Sequence, residues 1–140
     1  MAYSYQYLLV SDIGNNVFHV QLNRPKQLNA MNMEFLSEIG DVFTRLDTDS
    51  ECRVIILSGA GRAFTAGLDL PSISASLVLE DTLDIARKGR VVDAPAQFLA
   101  HTFSSIEKCC KPVIAAVHAI CIGGGIDLIS ACDIRYCTSD

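Results

Sequence analysis

Two segments of this chain follow the same plan, and that plan limits its fold more than any other feature. Each is a run of β-branched and aliphatic residues that passes into a glycine-bearing loop and then toward a helix. Val54-Ile55-Ile56-Leu57 leads through Ser58-Gly59-Ala60-Gly61-Arg62 to Phe64-Thr65-Ala66-Gly67-Leu68-Asp69-Leu70, closed by Pro71. Val113-Ile114-Ala115-Ala116-Val117 leads to Gly123-Gly124-Gly125 and a helix over about Ile126 to Ala131. Short continuous apolar runs of this kind read as strands buried on both faces. Strands alternating with helices predict an α/β domain with parallel pairs, and such domains place ligands at the carboxyl ends of their strands.

The rest of the chain fits around these units. Val17 to Leu22 alternates apolar and polar residues, which predicts a half-buried strand paired with Tyr5 to Val10 across the Asp12–Asn16 turn. Asn32 to Leu46 carries Phe35, Leu36, Ile39, Val42, Phe43 and Leu46 at helical spacing, with Asn29 or Asn32 as the N-cap. Residues 74–93 are weakly patterned and fit either a helix or a mobile segment. Pro95 fits the first turn of a helix that presents Phe98, Leu99, Thr102, Phe103 and Ile106 on one face. Ile134 to Cys137 reads as a further strand. With no linker, low-complexity tract or clear internal repeat, the sequence reads as one domain or part of one.

Composition removes several functional classes. With 140 residues, 50% of them hydrophobic and 19% charged, the chain is neither disordered nor low-complexity. A net charge of −5 argues against a general nucleic-acid binder, so an anionic ligand must be held by local donors. The six cysteines form no C-x-x-C pair, which leaves zinc and thioredoxin-like motifs without support and predicts free, buried thiols. Met1 to Asn23 contains no Lys or Arg, so no signal or transit peptide is visible. The most apolar stretch, Val113 to Ile126, is too short to span a bilayer and is broken by His118 and three glycines. Phe64 replaces the third glycine of a dinucleotide fingerprint begun at Gly59, and neither a P-loop nor a G-x-S-x-G elbow is present.

The two glycine loops are the places where chemistry is possible. Glycine lets a backbone N–H approach a ligand without an intervening Cβ. Two such groups converging on one oxygen form an oxyanion hole. For either loop alone, turn geometry and close packing are the better explanation. Asp127 follows Gly125 near a helix start, where it suits a general acid or base, although a first-turn carboxylate favoured by the helix dipole explains it better on the sequence alone. Asp69 fits a turn or cap first and a ligand contact second. Asp133 fits a cap or a pairing with Arg135. Of the histidines, His19 falls on a strand and His101 in a helix. Only His118 falls beside a glycine loop, and a satisfied core histidine accounts for it.

Taken together, four blocks resemble the crotonase (enoyl-CoA hydratase/isomerase) superfamily. They are Leu22-Asn23-Arg24-Pro25 with Asn29-Ala30; Ser58-Gly59-Ala60-Gly61; Phe64 through Leu70; and Lys111-Pro112-Val113 through His118 and Gly123-Gly124-Gly125-Ile126-Asp127-Leu128 to Cys132-Asp133-Ile134-Arg135. Their order over nearly the whole chain makes the resemblance specific. It implies an α/β fold, a ββα spiral that is incomplete at the C-terminus, with residues 1–140 as the N-terminal part of a single acyl-CoA-binding domain. It implies that the backbone N–H groups of Leu68 and Gly124 hold a thioester oxygen. Ala66, Gly67, Leu68, Asp69 and Leu70, with Gly124, then line the substrate site, and Asp127 serves as an auxiliary acid or base.

Asp at position 127, where many hydratases carry Glu, is similar to the dienoyl-CoA isomerase branch of that family. The activity this implies is conversion of 3,5-dienoyl-CoA to 2,4-dienoyl-CoA in β-oxidation of unsaturated fatty acids. An enoyl-CoA hydratase or simpler enoyl-CoA isomerase is the alternative, and a non-catalytic truncated isoform acting as an interaction partner is a third. No metal and no separate cofactor are implied, because coenzyme A is part of the substrate. The family further implies a homo-oligomer, trimer or hexamer, for a full-length member, with a mitochondrial or peroxisomal location. Two departures stand out. Ala119 replaces the glycine usual after the position of His118, and Pro71 stands where hydratases often place a Lys. The family's main acid/base carboxylates fall beyond Asp140, which implies that the 140 residues alone are inactive.

Overall fold

A computed structural model describes residues 3–76 and 84–139. The chain winds through three successive strand–strand–helix units and a final strand. The first unit is β1 (Leu8–Asp12), β2 (Val17–Leu22) and α1 (Met33–Thr48). The second is β3 (Val54–Gly59), β4 (Ala63–Thr65), α2 (Leu70–Ser76) and α3 (Ile85–Glu107). The third is β5 (Val113–Val117), β6 (Ile120–Cys121) and α4 (Gly124–Ser130), after which β7 (Ile134–Cys137) follows. The repetition expected from the resemblance is therefore present in the backbone, although the sequence shows no repeat.

The main sheet has the order β1-β2-β3-β5-β7. β1 and β2 form an antiparallel hairpin, with Leu8 opposite Leu22 and Asp12 opposite Phe18. The remaining pairs are parallel. Helix α1 forms because six apolar residues recur at helical spacing, and Phe35, Leu36, Ile39, Val42, Phe43 and Leu46 are all buried. Asn32 is its N-cap, accepting from Phe35 N–H at 2.9 Å. That buried stripe joins Val20, Leu22, Ile55, Leu57, Val113 and Ala115 in one core. Each fully buried Val, Leu, Ile or Phe among them contributes roughly 1.5–3 kcal/mol. Thr102 and Ile106 of α3 close the core beside α1.

The expectations for β3, β5 and the start of α3 change. β3 and β5 are buried on one face only: Ile55 and Leu57 are sealed, whereas Val54 and Ile56 are half-buried and Ala116 is exposed. An apolar run marks residues able to pack on both faces, and here the second face remains partly open. Pro95 does not start a helix but lies inside α3, which begins at Ile85 behind an Asp84 cap. The N-terminal part of α3 is largely exposed, so little packing pattern marks it in the sequence. Residues 77–83 of the weakly patterned stretch lie outside the described residues. Finally, β4 and β6 form a separate two-stranded parallel sheet. Strands of three and two residues are too short to reveal a period.

The cysteines are free thiols, with Cys52 and Cys132 buried but Cys110 and Cys137 exposed. Burial pushes the Cys52 thiol up to about 11. Asp133 does not pair with Arg135. Its carboxylate accepts from Val113 N–H at 2.8 Å, while Arg135 donates to the carbonyls of Cys132 and Ile129. No helix among the described residues is long and apolar enough to cross a membrane.

Ala119 adopts φ +49°, a left-handed conformation that is costly for a residue bearing Cβ. Ala119→Gly is therefore expected to raise unfolding stability by about 0.5–1 kcal/mol, after the greater flexibility of glycine in the unfolded chain is deducted. Urea denaturation of the two forms checks this; an unchanged or lower midpoint contradicts it.

Candidate functional site

The small sheet assembles the site. β4 and β6 run side by side, with Ala63 opposite Ile120 and Thr65 opposite Cys121. The loops that leave them, 66–69 and 122–124, therefore emerge together. Gly67 has φ +83°, and a Cβ there would lie 2.6 Å from the Ile122 carbonyl oxygen and 3.2 Å from Gly124 N. Only glycine permits that approach. Gly125 is similarly confined, because an added Cβ would fall 2.5 Å from Cγ2 of Thr65.

Most main-chain donors around these loops are committed. Met31 N–H donates to Gly67 O at 2.8 Å, and Asp69 N–H donates to Met31 O at 2.9 Å. Ala66 N–H donates to Leu28 O at 2.9 Å, and Gly67 N–H to Thr65 Oγ1 at 3.1 Å. Gly125 and Ile126 donate to the carbonyls of Ile122 and Gly123. Leu68 N–H, enclosed by this ladder, has no acceptor among the described residues. Gly124 N–H opens α4, where a first-turn donor has no intrahelical partner, and Gly123 supplies no side-chain cap. It too lacks an acceptor among the described residues. Two uncommitted donors thus sit on adjoining loops, and a Cβ at Gly124 would stand 3.1 Å from the Leu68 side chain. Such a pair suits a carbonyl oxygen that gains negative charge.

The other expected residues divide. Ala66 is half-buried and Leu70 is 68% exposed at the start of α2. Asp127 lies exposed in the first turn of α4, three residues beyond Gly124, and its carboxylate has no hydrogen-bond partner among the described residues. The Asp69 carboxylate, in contrast, is occupied. It accepts from Arg24 Nη1 at 2.5 Å and from Ser72 N–H at 3.3 Å. The Arg24 guanidinium beside it holds its carboxyl below the usual carboxylate range. His118 is half-buried, with Nε2 2.9 Å from Gly61 O.

Sequence reasoning missed the residues that hold the loops. Asn29 is fully buried and is not a helix cap. Its Nδ2 donates to the carbonyls of Ala60, Ala63 and Phe64 at 2.9–3.0 Å, while its Oδ1 accepts from Arg24 N–H at 2.8 Å. Thr65 Oγ1 donates to Asn29 O at 2.7 Å. Met31 is wholly buried against the glycine loop. A polar residue inside the Leu22–Ala30 block was the available signal, but its partners are distant in sequence. A groove of about 560 Å³ between α1 and α3 shares no lining residue with the glycine loops.

Comparison with known proteins extends this picture. A family model described as enoyl-CoA hydratase/isomerase matches residues 12–140. The chain is 46% identical over 138 residues to a protein of Rattus norvegicus named Delta(3,5)-Delta(2,4)-dienoyl-CoA isomerase, mitochondrial, covering 99% of this chain and 42% of that one. It is 44% identical over 127 residues to the peroxisomal protein of that name from Arabidopsis thaliana, covering 90% and 46%. Among solved structures, a putative enoyl-CoA hydratase from Streptomyces coelicolor A3(2) superposes with a TM-score of 0.80 at 30% identity, covering 98% of this chain and 47% of the other. The chain thus spans less than half the length of these relatives.

Gly67→Ala is expected to cost at least about 2 kcal/mol of stability, from the left-handed backbone and the clash with a carbonyl. Gly124→Ala costs less, because the contacts it meets are the side-chain atoms of Leu68 and Met31. Thermal unfolding of the two variants checks the order, and equal losses contradict it.

Proposed function

The chain belongs to the enoyl-CoA hydratase/isomerase family, and on that premise we propose that it carries the thioester-binding part of a dienoyl-CoA isomerase. The observation that supports this most is the pair of uncommitted N–H groups at Leu68 and Gly124. The choice of isomerase rests on the 46% and 44% identical relatives that bear that name. A relative named short-chain-enoyl-CoA hydratase, from Clostridium acetobutylicum, is 36% identical.

In this reading the carbonyl oxygen of a 3,5-dienoyl thioester accepts from both N–H groups. Polarisation acidifies the carbon next to the thioester. A base removes that proton, and negative charge spreads from the oxygen along the diene. Protonation at the far end then leaves a conjugated 2,4-diene. The two donors stabilise the charged intermediate more than the neutral substrate, which is what accelerates the step. Ala66 to Leu70 line the acyl-CoA site, where backbone recognition leaves the side chain at position 68 free to vary.

Proton removal and return occur at opposite ends of the diene, so two acid/base groups are required. Asp69 is engaged by Arg24, and Asp127 is the carboxylate left open beside Gly124. The 140-residue chain is therefore expected to bind the thioester but turn it over slowly. By the same reading it belongs in a mitochondrion or peroxisome and works within a homo-oligomer.

The test is to follow diene absorbance with 3,5-dienoyl-CoA, beside the rat relative and beside 2-enoyl-CoA as a hydration substrate. With Asp127 the one open carboxylate found beside the two donors among the described residues, the expected rate is lower by about 10²–10⁴-fold than that of the relative. Turnover equal to the relative, or hydration faster than isomerisation, overturns the proposal.

A further inference from the structure

Resting on that reading of the Leu68 and Gly124 donors, we propose that Arg24 is a positioning residue that sets the direction of the Leu68 N–H through Asp69. A short ladder surrounds Leu68. Met31 pairs with residue 68 in parallel fashion, donating to Gly67 O and accepting from Asp69 N–H. These bonds grip the peptide units on both sides of Leu68, and the Leu68 N–H points the other way. This bridge is isolated: one further main-chain bond, Ala66 N–H to Leu28 O, supports it on the side before Gly67, and no main-chain rung follows it beyond Asp69 among the described residues.

Arg24 supplies the missing rung. Its Nη1 donates both to Ala30 O, at 2.9 Å on the Met31 side of the ladder, and to Asp69 Oδ2, at 2.5 Å on the Leu68 side. One nitrogen thereby ties the two strands together one residue away from the bridge. The guanidinium itself is fixed. Its carbon lies 5.8 Å from the Tyr7 ring centroid, and the Arg24 main-chain N–H is held by the buried Asn29 side chain. Both charged side chains are mostly covered, at 19% and 17% exposure. Asp69 passes the restraint onward, because its other oxygen accepts from Ser72 N–H in the first turn of α2. Rotation of the 67–69 segment would break the ion pair and the helix cap together.

Gly124 has no share in this device. Its N–H direction follows from the start of α4, where Gly125 and Ile126 turn back onto Ile122 and Gly123. The hole is thus built from one donor set by a helix terminus and one set by a side-chain clamp. Loosening Arg24 should misdirect the first donor and spare the second.

Amide hydrogen exchange on the 140-residue chain tests the clamp directly. In Asp69→Asn and Arg24→Met, exchange at Met31 and Asp69 is expected to accelerate by about tenfold or more, as local opening does. Gly125, Ile126, Val20 and Leu57 should keep their rates, and Arg24→Lys should retain most of the protection. Should Asp69→Asn fail to fold, the Lys and Met variants at position 24 decide the matter. Unchanged exchange at Met31 and Asp69, or equal acceleration throughout the core, overturns the proposal.

A second readout separates positioning from mere support. With acyl-CoA labelled with ¹³C at the thioester carbonyl, the bound carbonyl shift of Arg24→Met should move toward that of free ligand. Affinity should stay within about threefold, since the contacts to the rest of the ligand are retained. An undiminished carbonyl shift in a variant with accelerated exchange also overturns the proposal. If the unaltered chain binds no acyl-CoA, the functional reading fails, while the exchange result still decides whether Arg24 clamps the ladder.

Discussion

The close approach of Gly67 to the Ile122–Gly124 backbone is the constraint on which the rest of the site depends. A Cβ at position 67 would fall 2.6 Å from a carbonyl oxygen, so no other residue allows the two loops to meet. Their meeting also requires that β4 and β6 pair in parallel, because only then do both loops leave the small sheet in the same direction. The main sheet contributes by delivering β3 and β5 side by side, with Ile55 opposite Val113 and Ser58 opposite Ala116. The core under it, dominated by the apolar stripe of α1, keeps that register. Function at this site would therefore be a property of backbone, with side chains acting as its supports.

Those supports are polar and buried. Asn29 gathers three carbonyls of the 60–64 segment and the N–H of Arg24, and Thr65 links Asn29 O to Gly67 N–H. A buried amide that satisfies several main-chain groups fixes a unique arrangement, since each lost bond leaves an unsatisfied group behind. Among the described residues no buried side-chain nitrogen or oxygen lacks a partner. The contrast with Leu68 and Gly124 is informative. Where the buried side-chain groups are satisfied, the N–H groups of Leu68 and Gly124 on adjoining loops have no acceptor among the described residues.

Much of this was legible in the sequence, for a physical reason. The α1 stripe, the β2 alternation and the apolar runs of β3 and β5 are local periodic patterns, and burial follows them directly. The glycine loops could be read because backbone approach demands a particular residue. What escaped was set by partners far apart in the chain. Asn29 looks like a helix cap until its contacts with residues 60–64 are known. Asp69 reads as a cap, and it does cap α2, but its ion pair with Arg24, 45 positions earlier, leaves no local signal. The strands β4 and β6 carry no period because they are only three and two residues long. The start of α3 leaves no packing signature in the sequence, since Ile85 and its neighbours are exposed.

The central claim is that Leu68 and Gly124 direct their N–H groups at one thioester oxygen. Titration of the ¹⁵N-labelled chain with an acyl-CoA thioester, and in parallel with the thioether analogue that lacks the carbonyl, tests it most directly. Both amide protons should move downfield with the thioester and neither with the thioether, as expected when a carbonyl oxygen accepts from them. If the thioester binds and these two resonances stay where they were, the two N–H groups do not form an oxyanion hole.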